Sequence, residues 1–355
     1  MTPEEAQRLF NLVNQKVIMN DQKGLNYLDQ KIFVEILLND PITYESIAEK
    51  HHCAVQTIKE RGPKLYRRIE RAFGLSNQAI NKDTFKVRIP KLIDDENNIN
   101  QQLKEQTNKF NCSQAKIGNP FIPINQPIHE SEYFFGRREE IQKIFDSINS
   151  GSSVAVIADP GMGKSSLLMA VERQAYNQLI TKRYPIYINL DDVNNEQEII
   201  DHICEELDIK YPGSMRSLKK SLINNQCLLL MDQVEKLVSP NISFSFVQLI
   251  VSWSQRDTKN DAPFKLVWTA CKSLEVLFPE DKMDSPIASR FANLSIERWD
   301  KKIISDFIKN RLSLSSNCQI SFSDDDITKI VNESGGHPQK LMTLCYEIFN
   351  QYIQH

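Results

Sequence analysis

The sequence contains no long hydrophobic run. None of the apolar stretches in its 355 residues approaches the 18 or more residues of a membrane-spanning helix. The first residues, MTPEEAQRL, are acidic and do not resemble the basic and apolar regions of a signal peptide. We therefore expect an intracellular, cytoplasmic protein with no membrane partner.

Closely spaced cysteine pairs are also missing. The seven cysteines are scattered over positions 53, 112, 204, 227, 271, 318 and 345, and none belongs to a C-x-x-C motif. Disulfide frameworks and zinc sites depend on such spacing, so we predict reduced thiols and no zinc site. The composition is otherwise ordinary for a globular protein, with 41% hydrophobic and 25% charged residues, and the length predicts two or three domains.

The net charge of −3 conceals a basic segment. Residues 59–91 contain ten Lys or Arg and only three acidic residues, which gives a local net charge of +7. Such a segment can bind the phosphate backbone of duplex DNA or an acidic protein partner, and charge alone does not separate these two interpretations.

Residues 1–92 are predicted to form an all-helical domain. The segment 42–74, ITYESIAEKHHCAVQTIKERGPKLYRRIERAFG, has the pattern of a helix-turn-helix. Ile47 and Ala48 fall in a first short helix and Ile58 falls in a second, at a spacing that lets the two helices pack closely.

The predicted surface residues of this helix-turn-helix do not show whether its partner is DNA or a protein. The residues expected at or near the groove-facing surface are Ala54, Gln56, Thr57, Lys59 and Glu60. The second helix is poor in base-reading arginines, and the cluster of Arg67, Arg68 and Arg71 suits phosphate contacts or a protein partner better. Residues 44–91 are therefore open to two interpretations, contact with duplex DNA or an adaptor for a protein effector.

The stretch SVAVIADPGMGKSSLLMAVERQ, residues 153–174, has the pattern of a strand, a glycine-rich loop and a helix. Its glycines let backbone N–H groups turn inward around phosphate oxygens, and the helix offers its positive N-terminal end. We predict that Lys164 reaches the β- and γ-phosphates of ATP and that the Ser165 hydroxyl holds Mg²⁺. The predicted nucleotide-binding residues of this loop are Asp159, Pro160, Gly161, Met162, Gly163, Lys164, Ser165 and Ser166. Ala158 replaces the first glycine of the usual motif, which we interpret as a tolerated variant.

Two segments precede this stretch. Residues 93–119 are polar and amide-rich and can bury little apolar surface, which predicts a linker. The following segment is rich in proline and aromatic residues, and such segments commonly lie against the adenine side of P-loop ATPases. We interpret Phe121 to Arg137 as a candidate rim for the base, with plain packing of an arm on the core as the alternative.

The segment CLLLMDQVEKL, residues 227–237, has the Walker B pattern. Its apolar run predicts a buried strand that delivers the carboxylate of Asp232 to the strand's C-terminal edge, where it can hold Mg²⁺. In related P-loop ATPases the next position often carries a catalytic glutamate, but here it is Gln233. A glutamine can orient water but cannot accept its proton, so either Glu235 is the general base or hydrolysis is slow.

A further central strand is predicted at FKLVWTAC, residues 264–271. Thr269, near the end of this strand, is a candidate sensor of the γ-phosphate, with simple strand capping as the alternative. Lys272 could also sense the γ-phosphate. Arg290 directly precedes the last predicted strand.

The C-terminal residues 298–355 are predicted to be helical, with the sequence GGHP between the last two helices. A glycine after one helix and a proline at the start of the next is an ordinary capping arrangement. The functional alternative is that this turn closes a lid over the adenine, with Pro338 touching the base.

The phosphate loop, the sequence DQVE at 232–235 and GGHP together resemble the STAND class of signal-transduction ATPases, within the AAA+-like branch. The resemblance implies ATP and Mg²⁺ as cofactors. It also makes Arg290 a candidate finger that reaches the nucleotide of a neighbouring subunit, with a surface salt bridge as the alternative. At the N-terminus, MTPEEAQRLF, TYESIAEK, KLYRRIERAFG and NKDTFKVRI resemble the helix-turn-helix domain of vWA-MoxR-associated proteins.

The expected fold class is an α/β P-loop NTPase, a parallel sheet sandwiched by helices, with an all-α N-terminal helix-turn-helix domain and a C-terminal helical lid. The predicted boundaries are 1–92 for the helix-turn-helix, 93–119 for the linker, 120–297 for the ATPase core and 298–355 for the lid. No winged helix or sensor repeats follow the lid, so we expect the signal to be sensed elsewhere.

The first functional hypothesis is a switch that binds ATP or ADP, hydrolyses ATP slowly, and forms a homo-oligomer or recruits an effector when ATP is bound. The alternatives are a DNA-targeting AAA+ regulator of the transposon type and an ATP-gated transcription regulator.

Overall fold

The computed structural model describes most of the chain. The residues described are 1–21, 25, 27–39, 42–51, 55–75, 80–95, 118–181, 183–207, 209–255, 262–279, 287–314 and 320–354. Two compact units divide the chain, one taking in residues 1–115 and 204–210, the other residues 116–203 and 211–355. No helix within the described ranges combines the length and the apolar character needed to cross a membrane. Ala54 and residues 96–117 of the predicted linker lie outside the described residues.

The N-terminal unit is built from helices. Their bounds are α1 Pro3–Asp21, α2 Tyr27–Leu38, α3 Tyr44–Lys50, α4 Val55–Ala72 and α5 at 82–95. Edge-to-face aromatic pairs fill its core, with Phe33 lying 5.4 Å from Phe10 and 4.9 Å from Phe85 between ring centroids. The helix α5 continues to residue 95, and Ile93 near its end is buried.

The helices α3 and α4 form the predicted helix-turn-helix pair. Thr43 caps α3 through a capping box with Ser46, which satisfies backbone donors at the helix start. Ile47, Ala48 and Ile58 are all buried, as the sequence pattern requires. Among the predicted groove-facing residues, Lys59 forms an ion pair with Glu45 at 2.7 Å, and Gln56 donates to Glu60 at 2.8 Å. This part of the surface therefore carries little unbalanced positive charge.

Glu35 on α2 is a buried carboxylate that is held by Asn39, Lys50 and His51, with the Asn39 side-chain amide donating to it at 2.8 Å. Lys50 Nζ and His51 Nε2 each form a hydrogen bond to it at 3.0 Å. Burial acts to raise the pKa of Glu35, but the hydrogen bonds from His51 and Lys50 outweigh burial and lower that pKa to about 2. Because the unfolded chain takes up the proton more readily, Glu35 stabilises the folded unit above about pH 4.5, and this contribution is lost as the pH falls toward 2.

We expect Glu35→Gln to lower the unfolding free energy by about 1–3 kcal/mol at pH 7, and by progressively less as the pH falls from about 5 to 2. Urea unfolding followed by far-UV circular dichroism measures the difference at each pH. All three tryptophans lie in the larger unit, so their fluorescence separates its unfolding from that of the N-terminal helices. A difference that stays constant below pH 4 would contradict the role given to this carboxylate.

The larger unit is built on a five-stranded parallel sheet. The strands are β1 Ser153–Ile157, β2 Tyr184–Asn189, β3 Cys227–Asp232, β4 Phe264–Ala270 and β5 Phe291–Ser295. Their spatial order is β2-β3-β4-β1-β5. The strands β3 and β4 are buried along their whole length, which explains why their sequences are continuous apolar runs. Since every pair is parallel, the loops that follow all five strands meet at one edge of the sheet.

Helices flank the sheet and follow it. Their bounds are α6 Arg138–Asn149, α7 Lys164–Gln178, α8 Glu196–Leu207, α9 Met215–Asn224, α10 Phe244–Trp253, α11 Leu274–Leu277, α12 Lys301–Ser313, α13 Asp324–Ser334 and α14 Pro338–Gln354. A core of aliphatic side chains joins α6 and α7 to the sheet. The helices α12, α13 and α14 share a second core, which also contains Phe121. The predicted boundaries put Phe121 with the ATPase core, whereas its ring packs among the C-terminal helices.

Candidate functional site

The glycine-rich loop lies between β1 and α7, at the sheet edge where the loops meet. Gly161 and Gly163 have φ angles of 76° and 89°, in the left-handed region that favours glycine. Gly163 is the N-cap residue of α7, so the loop leads directly into the positive end of that helix. This backbone shape is suited to binding an anion.

Lys164 begins α7 and turns back over the loop. Its side chain is buried, and its Nζ donates hydrogen bonds to the carbonyls of Ala158 at 2.7 Å and Asp159 at 3.0 Å. The same Nζ lies 3.3 Å from the Sγ of Cys271, which follows β4. The ammonium group is therefore held at the loop by neutral partners that it can exchange for phosphate oxygens.

Asp232 ends β3 and is buried. Tyr187 of β2 donates its hydroxyl proton to Oδ2 of Asp232 at 3.0 Å, and Thr269 of β4 donates to Oδ1. Burial, and then the charge of Asp232, raise the pKa of Tyr187, which keeps the phenol protonated as a donor. The carboxylate is thus fixed by one hydroxyl from each neighbouring strand.

Thr269 and Gln233 belong to the same network. Gln233 has a φ angle of 61° and donates its backbone N–H to the Thr269 hydroxyl at 3.1 Å. The Gln233 side-chain amide donates to Asn189 at 3.2 Å. Thr269 is fully buried, and its hydroxyl is shared between Asp232 and the Gln233 N–H.

Glu235 lies in the short 3₁₀ helix Val234–Val238 that follows β3. Its carboxylate accepts a hydrogen bond from the backbone N–H of Cys271, the residue whose sulfur contacts Lys164. Glu235 is therefore at the same sheet edge as the phosphate loop, and Lys272 is an exposed neighbour.

A cavity of about 390 Å³ adjoins the phosphate loop. One wall is the loop from Pro160 to Ser166, and the opposite wall comes from residues 123–135, which we call the rim arm. The C-terminal segment contributes Trp299, Phe307, Pro338, Gln339 and Met342 to the lining. The predicted base rim, Pro338 and the phosphate loop thus face one space. The lining thus combines the residues of the phosphate loop with aromatic and aliphatic residues of the rim arm and the C-terminal segment.

The turn before α14 contacts the phosphate loop directly. His337 Nε2 forms a hydrogen bond with the Pro160 carbonyl at 2.9 Å, and the Gln339 backbone N–H donates to the Gly161 carbonyl at 3.3 Å. The Gln339 side chain also donates to Asn125 of the rim arm at 3.1 Å. Loop, rim arm and C-terminal helix are therefore joined at one point.

Ser165 and Asp232 were predicted to hold Mg²⁺, and their chemistry fits that ion. A hydroxyl and a carboxylate are the oxygen ligands that Mg²⁺ prefers. Each carboxylate oxygen of Asp232 accepts one hydroxyl proton and keeps a further lone pair. The Oγ of the next residue, Ser166, accepts the Ile128 backbone N–H at 3.0 Å and so ties the rim arm to α7.

Arg290 is the predicted site residue that lies apart. It immediately precedes β5, and the pairing of Phe291 with Ser153 puts it at the N-terminal edge of the sheet. The phosphate loop is at the opposite edge, so Arg290 is not part of its own chain's site.

Several contributors to the site were missed by sequence reasoning. They are Tyr187, Asn189 and Gln339. Polar residues near the end of β2 would have been a usable signal, since a parallel neighbour of β3 places Asn189 beside Asp232. No local pattern indicates the contacts of His337 and Gln339, which join segments more than 170 residues apart.

Two regions of the chain match known families. Residues 128–341 match the family described as Novel STAND NTPase 1, and residues 4–92 match the one described as vWA-MoxR associated protein N-terminal HTH. Both resemblances inferred from the sequence are thereby confirmed. A search of the curated proteins found no match.

Solved structures give a fold-level likeness. A Walker-type ATPase of Pyrococcus abyssi aligns at a TM-score of 0.51 and 17% identity, over 65% of this chain and 71% of that one. The ORC2 protein of Aeropyrum pernix, in its ADPNP-ADP complexes, gives a TM-score of 0.47 at 17% identity, over 65% of this chain and 64% of that one. The ORC1 protein of Aeropyrum pernix in complex with DNA gives a TM-score of 0.47 at 14% identity, over 66% of this chain and 64% of that one. At this level of identity the first likeness supports the P-loop ATPase fold and nothing beyond it.

Proposed function

Because the chain belongs to the family described as Novel STAND NTPase 1, we propose that it is a cytoplasmic molecular switch that binds ATP and hydrolyses it slowly. The observation that carries this proposal is the single cavity shared by the phosphate loop, the rim arm and Pro338. A nucleotide needs both kinds of surface that line this cavity, a phosphate-binding loop for its charged triphosphate and aromatic or aliphatic side chains for its flat base.

The triphosphate would lie on the loop from Asp159 to Ser166, with Lys164 supplying positive charge at its β- and γ-phosphates. Ser165 and Asp232 would hold Mg²⁺, which neutralises charge on the phosphates when it is bound. The adenine would lie between the rim arm and Pro338. Aromatic and aliphatic side chains there favour a purine through stacking and burial of apolar surface.

Slow hydrolysis is supported by the contacts of Gln233. Its amide is a neutral group bonded to Asn189, so it cannot take a proton from water. Glu235 is a carboxylate at the same sheet edge, in the 3₁₀ helix after β3, and we propose it as the general base.

Replacing Glu235 by glutamine should lower ATP turnover by about a hundredfold or more while ATP affinity stays within about twofold, since loss of a general base typically costs 10²–10⁴ in rate. The glutamine oxygen can still accept the Cys271 N–H, so the local structure is kept. Turnover and affinity are measured by phosphate release and by calorimetry. Gln233→Glu is the matched opposite change and should raise turnover, whereas unchanged turnover in Glu235→Gln would assign the base elsewhere.

The switch would act through assembly. The turn before α14 is bonded to the phosphate loop, which offers a route from nucleotide state to the C-terminal helices. Arg290, at the sheet edge remote from its own loop, would contact the nucleotide of a second copy in a homo-oligomer. The N-terminal helix-turn-helix would then serve as the adaptor for an effector.

Contact with duplex DNA is the alternative role for the N-terminal unit. Lys64, Arg67 and Arg71 are on the second half of α4, away from the ion pair of Lys59 with Glu45, and they are exposed. Such a stripe favours phosphate contacts over base readout. A DNA-targeting regulator of the transposon type, or an ATP-gated transcription regulator, would use it.

Light scattering after size exclusion tests both roles. With Mg²⁺ and a slowly hydrolysed ATP analogue we expect a larger assembly than with ADP, and Arg290→Ala should prevent it. An identical mass in both nucleotide states would contradict the switch. Assembly that requires added duplex DNA, with an affinity falling steeply as salt rises, would favour the DNA-targeting role.

A further inference from the structure

The rim arm is anchored to the C-terminal helices at the residues that lead into it. The Asn119 side chain donates to the Tyr346 carbonyl and to Asn350, both at 2.9 Å. Phe121 is fully buried, with its ring centroid 5.5 Å from that of Phe322 and 6.1 Å from that of Phe349. The segment that leads into the rim arm is therefore anchored on α12–α14, whereas Ile128, farther along the arm, is bonded to Ser166 of α7.

Arg311 of α12 is the centre of this anchorage. Its guanidinium is completely buried and donates to three backbone carbonyls, those of Pro120 at 3.3 Å, Ile122 at 3.0 Å and Tyr133 at 2.8 Å. The guanidinium carbon also lies 4.8 Å from the centroid of the Tyr133 ring. One side chain thus joins the two ends of the segment that carries Pro123 and Ile124 along the cavity.

Packing alone does not account for an arginine at this position. Burial lowers the pKa of Arg311 to about 10, which reflects the cost of removing a charge from water. An apolar side chain of similar length would fill the volume without that cost. The planar fork of the guanidinium, in contrast, can hold several carbonyl oxygens in a fixed arrangement, which neither methionine nor lysine can reproduce.

We propose that Arg311 is the positioning residue for the base of the bound nucleotide: by holding the carbonyls of Pro120, Ile122 and Tyr133, it fixes the rim arm in the shape that receives the base. This inference rests on the proposed nucleotide site. It makes base recognition depend on the C-terminal helix α12 in addition to the contacts of the rim arm with α7, while triphosphate recognition belongs to the loop on the sheet.

The two halves of the nucleotide can be tested separately with ATP and inorganic tripolyphosphate. Wild-type protein should bind ATP more tightly than tripolyphosphate, because only ATP reaches the rim arm. For Arg311→Met we expect the ATP affinity to fall about tenfold or more, toward that of tripolyphosphate, with tripolyphosphate affinity within about twofold of wild type. Arg311→Lys should give an intermediate loss. The matched control is Lys309→Met, which removes an exposed charge from the same helix and should leave both affinities unchanged.

Each result distinguishes this inference from the proposed function. If wild-type protein shows no preference for ATP over tripolyphosphate, the proposed base site itself is wrong. If wild type has the preference and Arg311→Met keeps it, the role of Arg311 is overturned while the nucleotide site stands. A parallel loss of both affinities also overturns it, since that marks a general loss of structure. If Arg311→Met fails to fold, Asn119→Ala is measured in its place. A reduced preference for ATP over tripolyphosphate in Asn119→Ala supports the inference that anchorage of the rim arm determines base binding. An unchanged preference overturns that inference.

Discussion

Replacement of Lys164 by alanine should weaken ATP binding by about a hundredfold or more, equivalent to roughly 2.7 kcal/mol. The Nζ of Lys164 is buried and bonded to two loop carbonyls, so it is already placed at the loop before a ligand arrives. Hydrogen bonds to charged groups are each worth about 1.5–3 kcal/mol, and the alanine loses them together with the ammonium charge. Calorimetry with Mg²⁺ and a slowly hydrolysed ATP analogue measures the loss directly.

The control for this change is Lys220→Ala, which removes an equal charge from an exposed position on α9. Its ATP affinity should match that of wild type. The folded state should survive in both variants, because Ala158 is only half-buried and Asp159 is exposed, so water can replace the ammonium group at their carbonyls. If Lys164→Ala binds ATP as tightly as Lys220→Ala, the phosphate-loop assignment is wrong and the proposed function falls with it.

The parts of the site that the sequence predicted are those whose signal is local. Lys164 and Ser165 follow a glycine-rich loop within one strand–loop–helix unit, and Asp232 closes a single apolar run. Parallel pairing then brings these segments together without further information, because the carboxyl ends of parallel strands share an edge. The fold class was predictable for the same reason, since alternating strands and helices dictate a covered parallel sheet.

The rest depends on contacts between distant segments, which no periodic pattern encodes. Arg311 looked like one charged residue near the end of an amphipathic helix, yet it is completely buried and bonded to an arm about 180 residues earlier. Thr269 was predicted as a candidate γ-phosphate sensor, but its hydroxyl is bonded to Asp232 and to the Gln233 N–H. These polar side chains meet their buried partners only when the helices and strands pack together. The residues next to them in the sequence therefore do not predict the contact.

We expect the largest loss of folding stability from substitution of Gly336, which lies in the turn before α14. Its φ angle is 75°, and a Cβ there would lie 2.2 Å from the Trp299 carbonyl oxygen and 3.0 Å from the Trp299 nitrogen. Those are backbone atoms that cannot rotate away, and Trp299 N also donates to the Gly336 carbonyl at 2.9 Å. Strain in the left-handed region costs about 1–2 kcal/mol and overpacking about 1–3 kcal/mol, so Gly336→Ala should destabilise the larger unit by about 2–5 kcal/mol.

Gly335→Ala is a closely matched control for that prediction. Gly335 is the adjacent residue and is also left-handed, with a φ angle of 53°, but its Cβ would meet only the Arg298 Nη1 at 3.5 Å, the end of a flexible side chain. Gly335→Ala should therefore lower the unfolding free energy only by the cost of backbone strain, about 1–2 kcal/mol. Urea unfolding followed by tryptophan fluorescence compares the two variants, and equal losses would contradict the close contact with Trp299. The residues after this turn also bond to Pro160 and Gly161 of the phosphate loop. Gly336→Ala should therefore weaken ATP binding more than Gly335→Ala does, because a displaced turn would disturb the loop that binds the nucleotide.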